Sequence, residues 1–147
     1  MPWIRVWLHF VWATKNHQPF LTDAIRPLVF QHVRENARSK GIYIDLINGY
    51  VDHAHCLISL GSDQTIEKIM QLIKGESSFW INKSGLTKQK FAWQDEYFVA
   101  SVNPSNLNTV RRYILKQEEH HKKVLFKQEF DDFLIRAGFE VFKDKAI

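Results

Sequence analysis

The sequence holds a single cysteine, Cys56, among its 147 residues. No intrachain disulfide can therefore form, and a disulfide-stapled secreted module is excluded. No apolar run approaches the roughly 18 to 20 residues of a membrane span, so no membrane partner is expected. The opening Met1-Pro2-Trp3-Ile4-Arg5 lacks the basic segment, apolar run and small-residue cleavage site of a signal peptide, and a cytoplasmic protein is expected. Internal repeats, low-complexity tracts and Gly/Ser linkers are also missing, which leaves one domain, residues 1–147, with one sizeable core. There is no GxxxxGK[ST] phosphate loop, so nothing points to nucleotide-driven chemistry.

What is present is an ordinary globular composition, 45% hydrophobic and 24% charged, with a net charge of +4. The excess is local. Arg111, Arg112, Lys116, Lys122, Lys123 and Lys127 face only Glu118 and Glu119 within residues 111–127, and the rest of the chain sums to zero. Such a segment suits a polyanion such as nucleic acid, or equally a solvated helix face with its own ion pairs.

Alternation from Trp3 to Thr14 predicts a strand, with Ile4, Val6, Leu8, Phe10 and Trp12 on one face and Arg5, Trp7 and His9 on the other. Asp23 to Lys40 reads as a helix capped by Thr22 or Asp23 and stopped by Gly41. Ile42–Val51 and His53–Leu60 read as a hairpin pair, residues 64–83 as a second helix, Tyr97–Asn103 as a fourth strand, Pro104 to about His121 as a third helix, and roughly Lys127 to Ala137 as a last one ending at Gly138. The order spells an α+β, ferredoxin-like (RRM-like) split βαβ sheet, antiparallel, with helices on one face and C-terminal helices added.

The sharpest chemical feature is Asp52-His53-Ala54-His55-Cys56. On a strand, Ala54, Cys56 and Ile58 face the core, so His53 and His55 emerge together on the opposite face as a ready metal-binding pair. On the third helix Tyr113 and Gln117 are four apart and share a face. Gln117 offers a carboxamide oxygen and Tyr113 a nucleophile, although Tyr113 also suits an apolar stripe with Leu107, Val110 and Ile114. Trp3 and Trp7 suit base stacking less well than packing under the terminal helices or in a dimer interface.

His9-Phe10-Val11-Trp12-Ala13-Thr14-Lys15, the segment Gly49 to Ile58, Lys74-Gly75 with Ser77, and Tyr113-Ile114-Leu115-Lys116-Gln117 occur in one order and spacing. In these motifs the chain resembles the single-tyrosine HUH transposases of small bacterial insertion sequences and their repetitive-palindrome-associated relatives. Glu118 to Lys123 and Phe126 look most like the latter branch. The resemblance implies a single HUH-type transposase domain, with a core of about 3–122 and a helical extension of about 123–147. It implies an enzyme that cleaves and rejoins single-stranded DNA at hairpin-flanked ends through a 5′-phosphotyrosine. Tyr113 would be the nucleophile, and His53, His55 and Gln117 would hold a divalent metal, Mg²⁺ or Mn²⁺. Arg111, Arg112 and Lys116 would contact DNA, with Lys15 and Lys74 behind them. His9 would support the imidazole pair without binding the metal. A homodimer with active sites shared between subunits is implied as well. Ala54 stands where the family has a larger Val or Ile. His120 and His121 are expected beyond reach of Tyr113, as hairpin contacts or plain surface. A non-catalytic module that binds single-stranded hairpins on the same fold is the alternative.

Overall fold

The computed structural model describes residues 2–136. Strand β1 (Trp7–Thr14) lies inside a four-stranded sheet with β2 (Tyr43–Tyr50), β3 (His53–Ser59) and β4 (Trp93–Val102), in the order β2-β3-β1-β4. Every neighbouring pair is antiparallel. This is the split βαβ arrangement that the element order predicts. β1 starts at Trp7 rather than Trp3, because its first residue already pairs with Ser59 and Val102, the last residues of β3 and β4. Just upstream, the Val6 carbonyl still accepts from the Leu60 N–H at 2.8 Å, but Trp3 is fully exposed. β4 starts earlier than alternation suggests, because a register shift between Trp12 and Thr14 carries the pairing on to Trp93 through the charged Asp95-Glu96.

Helices α1 (Arg26–Ser39) and α2 (Ile66–Ser84) cover one face. Leu8, Phe10, Trp12, Ala54, Cys56 and Ile58 pack beneath them with Val29, Val33, Ile69 and Ile73. α1 begins three residues later than its polar residues suggest. Thr22 and Asp23 form a preceding turn in which the Arg26 guanidinium binds the Asp23 carboxylate and the Leu21 carbonyl, each at 2.8 Å. α2 follows its sequence signals closely. The Thr65 hydroxyl accepts from the Lys68 N–H, and Gly85 ends the helix at φ 64°.

The added helices lie on the opposite face. α3 (Leu107–Leu115) rests on Trp7 and Leu57 through Ile114, and α5 (Phe126–Arg136) rests on Val11, Ala13 and Phe98 through Phe126, Phe130 and Phe133. A short α4 (Gln117–His121) joins them. The sheet is thus covered on both faces, by α1 and α2 on one and by the added helices on the other. The expected helix end at Ala137 and Gly138 lies outside the described residues. Among those that are described, no helix is long and apolar enough to cross a membrane.

Candidate active site

Two backbone features deliver the imidazole pair. The β2–β3 hairpin turns tightly over Val51 and Asp52, and Gly49 sits where a Cβ would come within 2.1 Å of the His53 carbonyl oxygen. β3 alternation then places Ala54 and Cys56 in the main core and His53 and His55 on the other face, both wholly buried beneath α3–α5.

The tyrosine side is shaped by a break. The third helix does not run through to His121: it stops at Leu115, and Lys116 takes φ −95°, ψ 17°. Its final carbonyls are satisfied from the sheet, where Asn48 Nδ2 donates to Ile114 O at 2.9 Å and Leu115 O at 3.3 Å. The break swings Gln117, His120 and His121 inward. Gln117 is fully buried, its Nε2 donating to the Tyr113 carbonyl at 3.2 Å and its Oε1 lying 3.0 Å from His53 Nε2 and 2.9 Å from His121 Nε2.

Around this centre the pieces interlock. His53 Nδ1 lies 2.8 Å from Asp52 Oδ1, the arrangement that fixes a ligating imidazole with its Nε2 lone pair outward. His55 Nδ1 lies 2.9 Å from His9 Nε2, and His55 Nε2 lies 3.0 Å from Glu129 Oε1. Glu129, on α5, also accepts from the Tyr113 hydroxyl. Its Oε2 lies 3.2 Å from His121 Nε2 and 2.7 Å from His120 Nε2, the latter pair too poorly aligned for a hydrogen bond. Phe126 stacks on the His53 ring at 4.1 Å, and Phe133 packs edge-on against His9, His55 and Tyr113.

The electrostatics follow from burial. Desolvation pulls His9 down to about 4 and His55 to about 3, so both imidazoles are neutral at pH 7. Burial alone would raise the Glu129 carboxyl, but the hydrogen bonds from His121 and His55 outweigh it and hold the group ionised, well below the ordinary carboxylate range. Burial lowers His121, yet its hydrogen bond and attraction to Glu129 prevail and leave it raised. Tyr113 is pushed well above the ordinary phenol value, first by burial and then by Glu129.

The donor set fits a divalent ion. Ligand atoms of His53, His55, His121 and Glu129 all lie within 4.8 Å of one another. Bonds of about 2.0–2.2 Å to imidazole or carboxylate in a tetrahedral set place donors about 3.4 Å apart, so the widest pair would close by roughly an ångström on binding. Gln117 Oε1 stands beside them. Imidazole nitrogens with a carboxylate or carboxamide oxygen suit Mn²⁺ or Zn²⁺ chemistry better than all-oxygen Mg²⁺ chemistry.

The sequence-predicted residues thus separate. His53, His55, Gln117, Tyr113 and His9 converge. Arg112 and Lys116 are exposed on the outer side of α3 and its end, and Lys15 is exposed on a short 3₁₀ turn, Lys15–His17, after β1. Arg111 is committed to the protein: its guanidinium binds Asp45 at 2.8 and 3.2 Å, which raises its pKa, and it also donates to Asn108 Oδ1. Lys74 Nζ donates to the Gln94 and Asp95 carbonyls at 2.5 and 2.9 Å. His120 and His121, expected beyond reach, lie in the site because the helix breaks. Glu129 carries no sequence motif. Its one signal is a carboxylate amid the 126/130/133 phenylalanine stripe of an amphipathic helix.

Two solved structures share this architecture. One, from Deinococcus radiodurans and described as that of a transposase, matches with a TM-score of 0.65 and 21% identity over 79% of this chain and 93% of that one. The other, a REP-associated tyrosine transposase bound to a REP hairpin, matches with a TM-score of 0.63 and 17% identity over 84% of this chain and 73% of that one. The sheet and its covering helices therefore have the fold of these two structures. In sequence, the ISDra2 transposase TnpA of Deinococcus radiodurans is 21% identical over 116 residues, spanning 76% of this chain and 83% of the relative. The family profile described as "Transposase IS200 like" matches residues 3–117, most of the chain, and the chain belongs to that family. α5 and nearly all of α4 lie beyond the matched span.

Proposed function

We propose that the protein cleaves and rejoins single-stranded DNA at hairpin-flanked sites, with Tyr113 as nucleophile and a divalent metal, Mn²⁺ or Mg²⁺, held by His53, His55 and Gln117. The observation that carries the reading is convergence: two buried imidazoles from β3 and the Tyr113–Gln117 pair from the far end of the chain meet in one place. When bound, the metal would polarise a phosphate oxygen and stabilise the charge that develops in the transition state.

The chain's own residues supply the rest. Asp52 and His9 fix the two imidazoles from behind. Gln117 ties its carboxamide to the Tyr113 backbone, so ligand and nucleophile are placed together. The Tyr113 oxygen forms a bond to phosphorus while the bond to the 3′-oxygen breaks. The phenolic proton balances the leaving 3′-oxygen, giving a 5′-phosphotyrosine and a free 3′-hydroxyl. The ester is conserved, so rejoining needs no nucleotide. Arg112, Lys116 and Lys15 remain available for phosphates, whereas Arg111 and Lys74 would have to leave their present partners.

One observation favours a second reading, a hairpin-binding module without catalysis: the Tyr113 hydroxyl is spent on Glu129 and its pKa is raised. The two are separated by incubating labelled hairpin single-stranded DNA with the protein and Mn²⁺ on a denaturing gel. A shifted band that chelator and Tyr113→Phe both abolish supports catalysis. Hairpin binding with no such band supports the module.

A further inference from the structure

His53, His55 and Gln117 have no exposed surface, and Phe126, Phe133 and Glu129 of α5 stand over them. No phosphate can touch those ligands while α5 holds this position. Tyr113, only half-buried, opens on its other side into a cleft of about 580 Å³ lined also by Lys116, Glu119, His120, Lys122 and Lys123. That cleft carries much of the chain's local cationic excess, against a single carboxylate. Behind its lining residues Tyr113 and His120 sits an anion: Glu129 lies 2.7 Å from His120, accepts from Tyr113, and reaches His55 at 3.0 Å and His53 at 3.8 Å. A carboxylate and a phosphodiester share the relevant chemistry, one negative charge spread over two acceptor oxygens.

We propose that the single strand enters through the cleft of Lys116, His120, Lys122 and Lys123, and that its phosphodiester takes over the partners now held by the Glu129 carboxylate, releasing α5. Lys122 and Lys123 contact the phosphate backbone, while Glu129 acts as the resident counter-anion of the phosphate site. The inference rests on the reading that the chain handles single-stranded DNA. It concerns binding alone, so it is tested without cleavage.

The experiment uses the full-length protein in chelator with a fluorescein-labelled single-stranded hairpin oligonucleotide. Anisotropy titrations at several salt concentrations compare wild type with Lys122→Ala/Lys123→Ala and with a control, Lys83→Ala/Lys88→Ala. All four lysines are exposed, so the folds are undisturbed. Loss of two phosphate contacts is expected to weaken binding and to lower the salt slope by about 1 to 2, with the control unchanged. Hydrogen exchange over residues 126–136 is expected to accelerate when the strand saturates the protein. Glu129→Gln is expected to tighten binding severalfold, whereas Asp132→Asn, the same charge change at an exposed site of the same helix, is not. Binding and slope unaffected by the cleft substitutions, or lowered equally by the control, would overturn the cleft. Unchanged or increased α5 protection at saturation would overturn the exchange with Glu129, as would equal effects of the two acidic substitutions. No binding in any arm overturns the proposal entire. Binding as expected with no covalent product in Mn²⁺ leaves it standing and removes the catalytic reading instead.

Discussion

Acidifying the metal-free protein should destabilise it well before its carboxylates titrate. His9 and His55 are buried as neutral imidazoles, lowered to about 4 and about 3, whereas an unfolded chain protonates histidine near 6.5. Between pH 7.5 and 5.5 the unfolded state therefore binds protons that the folded state refuses, and stability falls as pH falls. Taking the unfolded value as about 6.5, each group contributes a loss of roughly 1.4 kcal/mol over that interval, about 3 kcal/mol for the pair. His121 works the other way. Its raised folded value contributes stability that is fully present below pH 6.5 and lost as pH rises, returning at most about 1.4 kcal/mol on acidification, the contribution of one histidine over this interval. Glu129 is ionised in the folded and the unfolded state throughout this interval and contributes nothing until lower pH. The net expectation is a loss of about 1 to 3 kcal/mol, a large share of a typical domain's stability. Urea unfolding in chelator, followed by tryptophan fluorescence at pH 7.5, 6.5 and 5.5, reads it directly as a falling midpoint at constant m-value. A midpoint that stays level or rises on acidification would refute the argument that these two imidazoles are buried uncharged.

Other consequences are equally specific. Asp52→Asn removes the carboxylate that orients His53 and should weaken Mn²⁺ binding by about 10-fold to 100-fold in calorimetry while leaving the fold intact. Asn48→Ala leaves the Ile114 and Leu115 carbonyls without their donor and should cost about 1 to 3 kcal/mol in urea unfolding, with a matching loss of metal affinity as Gln117 loosens. The site closes within one chain, so a mixture of Tyr113→Phe and His53→Ala proteins should stay inactive. Activity restored on mixing would instead indicate subunits that exchange this helix.

The elements that carry the sheet are the ones a periodic pattern reveals. Alternation in β1 and β3 assigned Phe10, Trp12, Ala54 and Cys56 to the core and His9, His53 and His55 to the other face, because a two-residue period leaves no third choice. The spacing of Tyr113 and Gln117 predicted one helical face; the two do lie together, but across the break at Lys116, with Gln117 opening α4. What stayed hidden depends on contacts between distant segments. The break at Lys116 is stabilised by Asn48, 66 residues from Ile114, and no local signal in the helix records that donor. His120 and His121 were misjudged for the same reason, since a straight helix would have carried them away from Tyr113. Glu129 shows only as a charge on an apolar stripe, a pattern that means nothing until β3 is known to lie beneath it. Arg111 and Lys74, legible as cations, are held by Asp45 and by two β4 carbonyls that the sequence does not pair with them.

The account stands most directly on where the DNA becomes attached. After reaction of the protein with a hairpin-bearing single strand in Mn²⁺, followed by nuclease and protease digestion, mass spectrometry should find a nucleotide 5′-phosphate on the peptide containing Tyr113, and none when His53 is replaced by alanine. A nucleotide carried by any other side chain, or its persistence on Tyr113 without His53, would contradict a shared imidazole–tyrosine centre.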